Sequence, residues 1–293
     1  MKRWAVVFSL VLALVLSGCM ATQQAALRSK AEQLVLLRET LRDGEYDHNS
    51  FLVDPAAMRL EDVAASVYSL KTVSTFRIAE GELETSTQYG VAISLAGGYL
   101  LTVEHVVSQA AISIRTPFGT VVIPAEKLSE QTYVIYEGKE YLLQRLYADE
   151  REDIALFAAP ASLRLRTFPY PIGNSDDLRV GNYVYLVGNP LNVGINVREG
   201  IVSSLKVPEI VSAADVVTAN AFMVSNGLNP GDSGAPVLGI RDGVYELVGL
   251  SQGTFVASQR MGWVIRINTF VNRLAAQVDL RHPIGRLRLA QDL

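Results

Sequence analysis

The sequence predicts an all-β fold with helices before and after it, and three observations carry this prediction. From about residue 89 to residue 267, short segments rich in β-branched and aromatic residues alternate with turns of Gly, Pro and charged residues. No helices alternate with these segments, which argues against a parallel α/β sheet. The 293 residues are 49% hydrophobic and 19% charged, a folding composition long enough for one large domain or two small ones.

The N-terminus is typical of a targeting segment. A basic start is followed by the apolar run Trp4–Leu16, and Leu16 to Cys19 reads Leu-Ser-Gly-Cys. Such a run suits a signal-peptide core, since a membrane-spanning helix needs about 20 residues. The four residues resemble the lipobox of bacterial lipoproteins, which implies that signal peptide 1–18 is removed and Cys19 is lipidated. An uncleaved anchor and an ordinary signal peptide are the alternatives. Under the family's sorting rule, Met20 favours the outer membrane, facing the periplasm of the bacterial envelope.

An N-terminal helical or linker segment is predicted over 19–61. Within it, residues 22–43 are predicted to form a helix, because Leu27, Leu34, Leu37 and Leu41 would fall on one face of it. Gly44 is predicted to end the helix. This helix is predicted to be either a stalk or an arm that packs on the body. Asp54 and Pro55 are typical of the start of a second short helix that reaches about Ser66.

The β region divides into two modules of about six strands each, joined by a proline-bearing connector over 160–174. The first predicted series is Tyr89–Leu95, Tyr99–Val103, Ala111–Arg115, Thr132–Tyr136, Tyr141–Tyr147 and Ile154–Phe157, and the second is Tyr183–Val187, Val193–Leu205, Val216–Val224, Ala235–Leu238, Tyr245–Ser251 and Gly262–Ile267. A helix at 268–278 closes the body, and 279–293 is a tail.

Composition excludes several classes of function. Lys and Arg number 26 against 30 Asp and Glu, a net charge of −4, so no basic excess indicates a nucleic-acid partner. Cys19 is the single cysteine, which excludes an internal disulfide. With three histidines besides, a Cys/His zinc site is disfavoured, and we expect neither metal nor cofactor.

The segment Asn229 to Pro236, Asn-Pro-Gly-Asp-Ser-Gly-Ala-Pro, is the candidate nucleophile turn. Its glycines and prolines predict a tight backbone that exposes the Ser233 hydroxyl and directs the amides of Gly231 and Ser233 to one point, as an oxyanion hole. The alternative is a plain loop between strands, since these are common turn residues.

A serine hydroxyl needs a general base, and His105 is the candidate. It directly follows a predicted strand, where a short helical turn would project it from the rim. His48 lies in a polar stretch and His282 in a basic tail, so both are predicted to be surface residues.

Asp153 is the candidate for the acid that orients this base. It abuts the apolar strand at 154–157, where its carboxylate would be half-buried against His105 and would stabilise the imidazolium. Asp149, Glu150 and Glu152 are nearby alternatives, but they lie in a charged turn.

The order His105, Asp153, Ser233, with gaps of 48 and 80 residues, is that of chymotrypsin-like proteases. More closely, the chain resembles the HtrA/Deg family of bacterial serine proteases over about residues 62–278. Six blocks carry the resemblance: Gly98 to Val107, Asp153 to Leu156, Val187 to Pro190, Gly200 to Ser203, Asn229 to Pro236 and Gly262 to Ile265.

The resemblance implies a chymotrypsin-like double β-barrel with the active site between barrels at about 62–165 and 175–267. His105, Asp153 and Ser233 would be the catalytic triad, with the backbone of Gly231, Asp232 and Ser233 as oxyanion hole. The pocket for the substrate side chain would be formed by Gly227, Leu228, Ser251, Gln252, Gly253 and Val264. These six residues include no acid, so the pocket is predicted to prefer an apolar side chain over Lys or Arg.

The sequence departs from the family in three respects. Only 15 residues follow Val278, too few for the PDZ domain expected of the family, and Asp232 and Ala235 replace the more usual Asn and Gly. True trypsins use an acid at the position of Asp232 to receive a freed N-terminus, a step not predicted for a lipidated chain.

The sequence therefore predicts a serine endopeptidase that acts on proteins or peptides of the envelope and contacts the membrane through Cys19. Homo-oligomerisation is left open. The alternative is a lipoprotein that keeps the protease fold as a chaperone or binding scaffold. A His-Glu-x-x-His motif and a phosphate loop do not occur in the sequence, which disfavours metalloproteases and nucleotide-dependent enzymes. Helices do not alternate with the predicted strands, which disfavours an α/β-hydrolase such as an esterase.

Overall fold

The structure is a computed structural model that describes residues 20, 24, 29–30, 32–78, 81–116, 119–208, 219–254 and 260–275. The predicted signal peptide 1–18, the lipidation site Cys19, His282 and the tail 279–293 lie outside these residues. The chain divides into two units, Met1–Glu45 and Tyr46–Leu293. No helix within the described ranges is long and apolar enough to span a membrane.

In the first unit, the described residues 32–40 form helix α1. Within the predicted helix at 22–43, the described residues 24, 29–30 and 32–40 are helical, and the helix ends before Gly44, whose φ is +78°. Leu34, Leu37 and Leu41 of the predicted leucine face are 44%, 47% and 48% exposed.

The second unit contains two further described helices, α2 (Leu60–Ala64) and α3 (Ile267–Leu274). Its described strands are β1 (Val67–Arg77), β2 (Leu83–Leu95), β3 (Tyr99–Thr102), β4 (Ile112–Thr116), β5 (Gly119–Ile123), β6 (Glu126–Tyr136), β7 (Lys139–Leu142), β8 (Gln144–Asp149), β9 (Ile154–Ala158), β10 (Tyr183–Gly188), β11 (Asn196–Ser204), β12 (Ala221–Val224), β13 (Pro236–Arg241), β14 (Val244–Thr254) and β15 (Gly262–Arg266).

The first module is a seven-stranded antiparallel sheet in the order β7-β6-β1-β2-β3-β9-β8, and β4 and β5 form a separate hairpin. The second module is a closed six-stranded barrel in the order β10-β11-β12-β15-β14-β13. The predicted double-barrel fold class is thus confirmed, with the correction that the first module is a half-barrel. Buried apolar side chains from both modules form one continuous core.

The sequence prediction omitted β1, although this long strand lies inside the first sheet and pairs with both β2 and β6. The prediction of a helix from Asp54 to Ser66 was also too long. The Asp54 carboxylate accepts a hydrogen bond from the Ala56 amide at 3.0 Å and closes a single turn, and the helix starts only after Arg59, whose backbone is extended.

The closing helix predicted at 268–278 corresponds to α3, which starts at Ile267. The side chains of Ile267, Phe270 and Leu274 are fully buried on one face of this helix, at the i, i+3 and i+7 spacing of an amphipathic helix. This spacing explains why the helix was predictable from sequence.

Candidate active site

His105 lies on a single 3-10 turn, Glu104–Val106, directly after β3. The neighbouring Val106 is 2% exposed and anchors the turn in the core, whereas the His105 side chain remains 45% exposed. The turn therefore presents the imidazole to the cleft on a fixed backbone, as the strand–turn pattern predicted.

Asp153 holds His105 with both carboxylate oxygens. Its Oδ1 accepts the backbone N–H of His105 at 2.8 Å, and its Oδ2 lies 2.8 Å from Nδ1 of the ring. Since a carboxylate only accepts, Nδ1 carries the proton and Nε2 keeps its lone pair. Asp153 adopts φ +55°, a left-handed conformation that Asp tolerates better than most residues, and it is 7% exposed.

The electrostatics of this pair favour the charged forms. Burial raises the pKa of Asp153, but the charge and hydrogen bonds of His105, with a hydrogen bond from the Gln252 side chain, outweigh it, and the net pKa lies below the usual 3.8. Burial lowers the pKa of His105, but the nearby Asp153 and Glu104 carboxylates raise it by more, so the net pKa lies above the usual 6.5. Asp153 therefore stabilises a proton on His105.

Ser233 lies in a tight turn between Gly231 and Gly234, whose φ values are +95° and +86°. At Gly234, a Cβ would overlap the carbonyl oxygen of Val91, so only glycine fits this approach. The Ser233 carbonyl accepts the Val91 amide of β2 at 2.9 Å, and the Gly234 amide donates to Ser251 of β14 at 2.8 Å. The turn is thus fixed to both modules.

The Ser233 hydroxyl faces the carbonyl oxygen of Gln252 at 3.5 Å. Among the described residues, the Ser233 hydroxyl has no other hydrogen-bond partner, and the His105 ring hydrogen bonds only to Asp153. The structure therefore brings His105 and Asp153 together and leaves the hydrogen bond between Ser233 and His105 unformed. Catalytic hydrogen bonds are often long or misaligned before substrate binds.

The candidate oxyanion site is defined by the peptide between Pro230 and Gly231. The Pro230 carbonyl accepts the Leu191 amide at 2.7 Å, which fixes the Gly231 N–H of the same trans peptide in the opposite direction. Among described residues, the amides of Gly231 and Ser233 donate to no protein acceptor. The amide of Asp232 donates to Asn229 at 3.0 Å, so its assignment to the oxyanion hole is corrected.

A cavity of about 110 Å³ opens beside Ser233. Its lining contains four of the six predicted pocket residues, namely Leu228, Ser251, Gln252 and Gly253, together with Asn229, Pro230, Asp232, Ser233 and Thr254.

Two predicted pocket residues lie outside this cavity. Val264 is fully buried in the barrel core, and the carbonyl of Gly227 accepts a hydrogen bond from Arg198 at 2.6 Å, so both assignments are corrected. Asp232 is the one acid in the lining, and its carboxylate is paired with Arg198, so no free carboxylate faces the cavity.

The neighbouring acids have other partners. Glu152 is 6% exposed, pairs with Arg273 of α3, and accepts the Asn220 side-chain amide at 2.8 Å. Asp149 accepts the backbone amide of Glu152 at 3.0 Å. His48 is exposed, as predicted. Within the described part of the chain, no cluster of three or more His, Cys, Asp and Glu could hold a metal ion.

Sequence reasoning missed two contributors to the site. Gln252, predicted only as a pocket residue, contributes through its side chain to the lowered pKa of Asp153 and faces the Ser233 hydroxyl through its carbonyl. Arg198 was not singled out, yet it pairs with Asp232 at 2.5 Å. Its position in the middle of a strand, 34 residues before Asp232, gives no sequence signal of this contact.

The half-barrel and closed barrel, with a His–Asp pair facing a serine turn across the cleft, define the chymotrypsin-like fold class. The family described as "Trypsin-like peptidase domain" matches residues 88–250, more than half of the chain. The chain belongs to this family.

Curated relatives are Deg-type proteases. The periplasmic pH-dependent serine endoprotease DegQ of Escherichia coli is 30% identical over 163 residues, 55% of this chain and 30% of DegQ. Protease Do-like 1, chloroplastic, of Arabidopsis thaliana is 31% identical over 156 residues, 49% of this chain and 33% of that protein. The resemblance to the HtrA/Deg family is confirmed, and the match spans about a third of these relatives' length.

Solved structures show the same fold. The HtrA-type protease AlgW with a tripeptide has a TM-score of 0.53 at 22% identity, covering 74% of this chain and 61% of AlgW. The same protease with a decapeptide has a TM-score of 0.55 at 21% identity, covering 75% and 66%.

Proposed function

We propose that this protein is a serine endopeptidase in which Ser233 is the nucleophile, His105 the general base and Asp153 the acid that orients it. The observation that carries the proposal is the two-oxygen contact of Asp153 with His105, because it fixes the ring, its tautomer and its charge preference together. Membership of a peptidase family and relatives named as serine endoproteases support the same assignment.

The chemistry proceeds by acyl transfer. A rotation of the Ser233 hydroxyl from Gln252 towards His105 lets Nε2 take its proton as Oγ attacks a peptide carbonyl carbon. The proton then passes from Nε2 to the leaving amine nitrogen as the C–N bond breaks, leaving an acyl-enzyme. Water, deprotonated by His105 in turn, hydrolyses the ester and restores Ser233.

The amides of Gly231 and Ser233 stabilise the oxyanion that forms at each attack. Removing one such donor costs about 3–4 kcal/mol of transition-state stabilisation in comparable enzymes. Both amides are fixed before substrate binds, Gly231 through the Pro230–Leu191 hydrogen bond and Ser233 through the turn that Gly234 permits. Such preorganisation requires little rearrangement during the reaction.

The substrates are proteins or peptides, and unfolded proteins of the bacterial envelope are the class that the family resemblance favours. The cavity beside Ser233 is small and presents no free carboxylate, so we expect it to accept an apolar side chain. Lipidation of Cys19 would anchor the enzyme to the membrane, with the outer membrane facing the periplasm as the expected location. Incorporation of radiolabelled palmitate in the wild type and its loss in Cys19→Ser test the anchor.

The test of the function is cleavage of casein by the purified full chain beside Ser233→Ala. Loss of a catalytic serine lowers turnover by on the order of 10⁶, so the mutant should be inactive. Comparable cleavage by both proteins would refute the assignment of Ser233. No cleavage by the folded wild type would instead favour a chaperone or binding scaffold built on the protease fold.

A further inference from the structure

The buried ion pair between Arg198 and Asp232 lies directly beneath the candidate nucleophile turn. Asp232 precedes Ser233 in the chain, and its side chain is 1% exposed. The guanidinium reaches it from β11, with Nη2 at 2.5 Å from Oδ1. The Arg198 side chain is 21% exposed, so both charges are largely withdrawn from water.

The pair ties together the stretch of backbone that precedes Ser233. The second nitrogen of Arg198, Nη1, donates to the Gly227 carbonyl at 2.6 Å, and the second oxygen of Asp232, Oδ2, accepts the Asn229 amide at 2.8 Å. The Asp232 amide also donates to the Asn229 carbonyl at 3.0 Å. The path of the chain from Gly227 to Ser233 is therefore fixed by contacts that meet at this ion pair.

The surrounding backbone accommodates the pair closely. At Gly188, a Cβ would overlap Oδ1 of Asp232 and would lie 3.2 Å from Nη2 of Arg198. The pair therefore occupies space that any side chain at residue 188 would take. Burying a carboxylate is costly unless a cation and hydrogen bonds compensate it, and Arg198 is the cation that the structure provides.

We propose that Arg198 is a positioning residue: by holding Asp232 it keeps the Gly231 and Ser233 amides directed at the substrate oxyanion in the resting protein. The inference rests on the proposed function and goes beyond it, because Arg198 supplies the positive partner of Asp232 from within the folded chain. The oxyanion site then forms without a second cation, such as a newly freed chain terminus, having to bind Asp232. Activity should then not depend on cleavage of the chain.

Loss of the guanidinium would act through Asp232. Burial already raises the pKa of this carboxyl, and hydrogen bonding and charge from Arg198 offset part of the effect. Without Arg198, the carboxyl would take up a proton or turn towards water. In either case it would hold the Asn229 amide less firmly, and the Pro230–Gly231 peptide would then be held in place by the Leu191 hydrogen bond alone.

The experiment compares Arg198→Met, which keeps the length of the stem without the charge, with Arg198→Lys, which keeps a cation. Using the full chain, kcat and KM for an apolar peptide substrate and the rate of fluorophosphonate labelling of Ser233 are measured. We expect kcat and the labelling rate to fall about 10²-fold in Arg198→Met, as for loss of an oxyanion donor, with KM changed less than about threefold. Arg198→Lys should recover at least about tenfold of this loss, since it restores a charge for Asp232.

Arg241→Met is the matched control. Arg241 is also 21% exposed and also forms ion pairs in the second module, with Asp177 and Glu246, but its partners do not belong to the nucleophile turn. We expect it to lower the temperature of unfolding without lowering kcat in the folded protein. A general loss of stability would affect both variants alike, whereas positioning affects Arg198 alone.

The outcomes separate this inference from the function on which it rests. An active wild type with unchanged kcat in Arg198→Met overturns the role of Arg198 and leaves the protease assignment intact. An inactive, unlabelled wild type overturns the protease assignment itself and this inference with it. If Arg198→Met does not fold, Arg198→Gln, which keeps an amide donor without the charge, decides: a lower kcat at unchanged KM supports the role, and wild-type kcat overturns it.

Discussion

The backbone amide of Val91 donates to the carbonyl oxygen of Ser233 at 2.9 Å. Val91 lies in β2 of the first module, and Ser233 precedes β13 of the second, so this hydrogen bond joins the modules at the candidate nucleophile. On the same side, Thr102 donates its hydroxyl to the Val91 carbonyl at 2.7 Å, close to the turn that presents His105. The backbone of Val91 therefore connects the strand that precedes His105 to the turn that carries Ser233.

Gly234 allows this junction, and its replacement should disrupt it. In Gly234→Ala, the positive φ and the overlap with Val91 together should lower the free energy of unfolding by about 3 kcal/mol or more and abolish activity. Gly138→Ala is the control: its φ is +74°, but nothing lies within 4 Å of a Cβ, so strain alone should cost about 1 kcal/mol. Urea unfolding measures both. Equal losses would show that the overlap is relieved without cost.

The acid next to His105 can be tested against its buried neighbour. Asp153→Asn should lower kcat by about 10⁴-fold, because the amide favours the wrong tautomer of His105. Glu152→Gln should change kcat little, because Glu152 pairs with Arg273, and should lower the free energy of unfolding by about 1–3 kcal/mol. Peptide hydrolysis and thermal unfolding of both variants measure these effects. A larger loss of kcat in Glu152→Gln would reverse the assignment.

The pH dependence of activity follows from the raised pKa of His105. The base must be neutral to accept the Ser233 proton, so kcat/KM should fall as pH decreases through a pKa above the usual 6.5. In Asp153→Asn the opposing burial effect is no longer outweighed, so the acid limb should move to lower pH. A pH profile from about 5 to 9 measures both. A wild-type limb at or below 6.5 would contradict the electrostatic coupling.

Stability should respond to the same two groups in opposite directions. The pKa of His105 is raised in the folded state, so its contribution is complete below 6.5 and is lost as pH rises through the folded value. The pKa of Asp153 is lowered, so its contribution is complete above 3.8 and is lost as pH falls through the folded value. The free energy of unfolding of the wild type should therefore exceed that of Asp153→Asn by the largest amount between pH 3.8 and pH 6.5. If the difference in free energy of unfolding between the two proteins did not vary with pH, the coupling of stability to these two ionisations would be excluded.

Substrate preference should follow the cavity beside Ser233. Its volume of about 110 Å³ and the pairing of Asp232 with Arg198 predict faster cleavage after apolar side chains than after Lys or Arg. Cleavage of a peptide library that varies only in this side chain, analysed by mass spectrometry, measures the preference. Comparable rates after aromatic and basic residues would refute it.

The parts of the molecule predicted from sequence are those with local signals. His105 and Asp153 each adjoin an apolar strand, and the turn around Ser233 is specified by adjacent glycines and prolines. Strand β1 lacked such a signal because two of its inward-facing residues, Thr72 and Ser74, are polar. They are buried through hydrogen bonds to Thr132 and Glu130, partners about 60 residues away, which only the folded sheet reveals.

The contacts of Arg198 with Asp232, and of Gln252 with Ser233, were likewise not predictable. Each joins residues of different strands or loops, and each residue type alone is common on protein surfaces. The wrong assignment of Val264 has a related cause. Its strand was correctly predicted, but no residue of β15 lines the cavity, and the position of that strand depends on barrel closure, which the sequence pattern does not specify.

The central claim is that Ser233 is a nucleophile activated by His105, and labelling with a fluorophosphonate probe tests it most directly. The full chain is treated with the probe and digested, and the modified residue is located by mass spectrometry. We expect a single phosphonylated residue, Ser233, and labelling at least about 10³-fold slower in His105→Ala, where the base is missing. A folded wild-type protein whose Ser233 stays unmodified, or is labelled equally fast without His105, would contradict it.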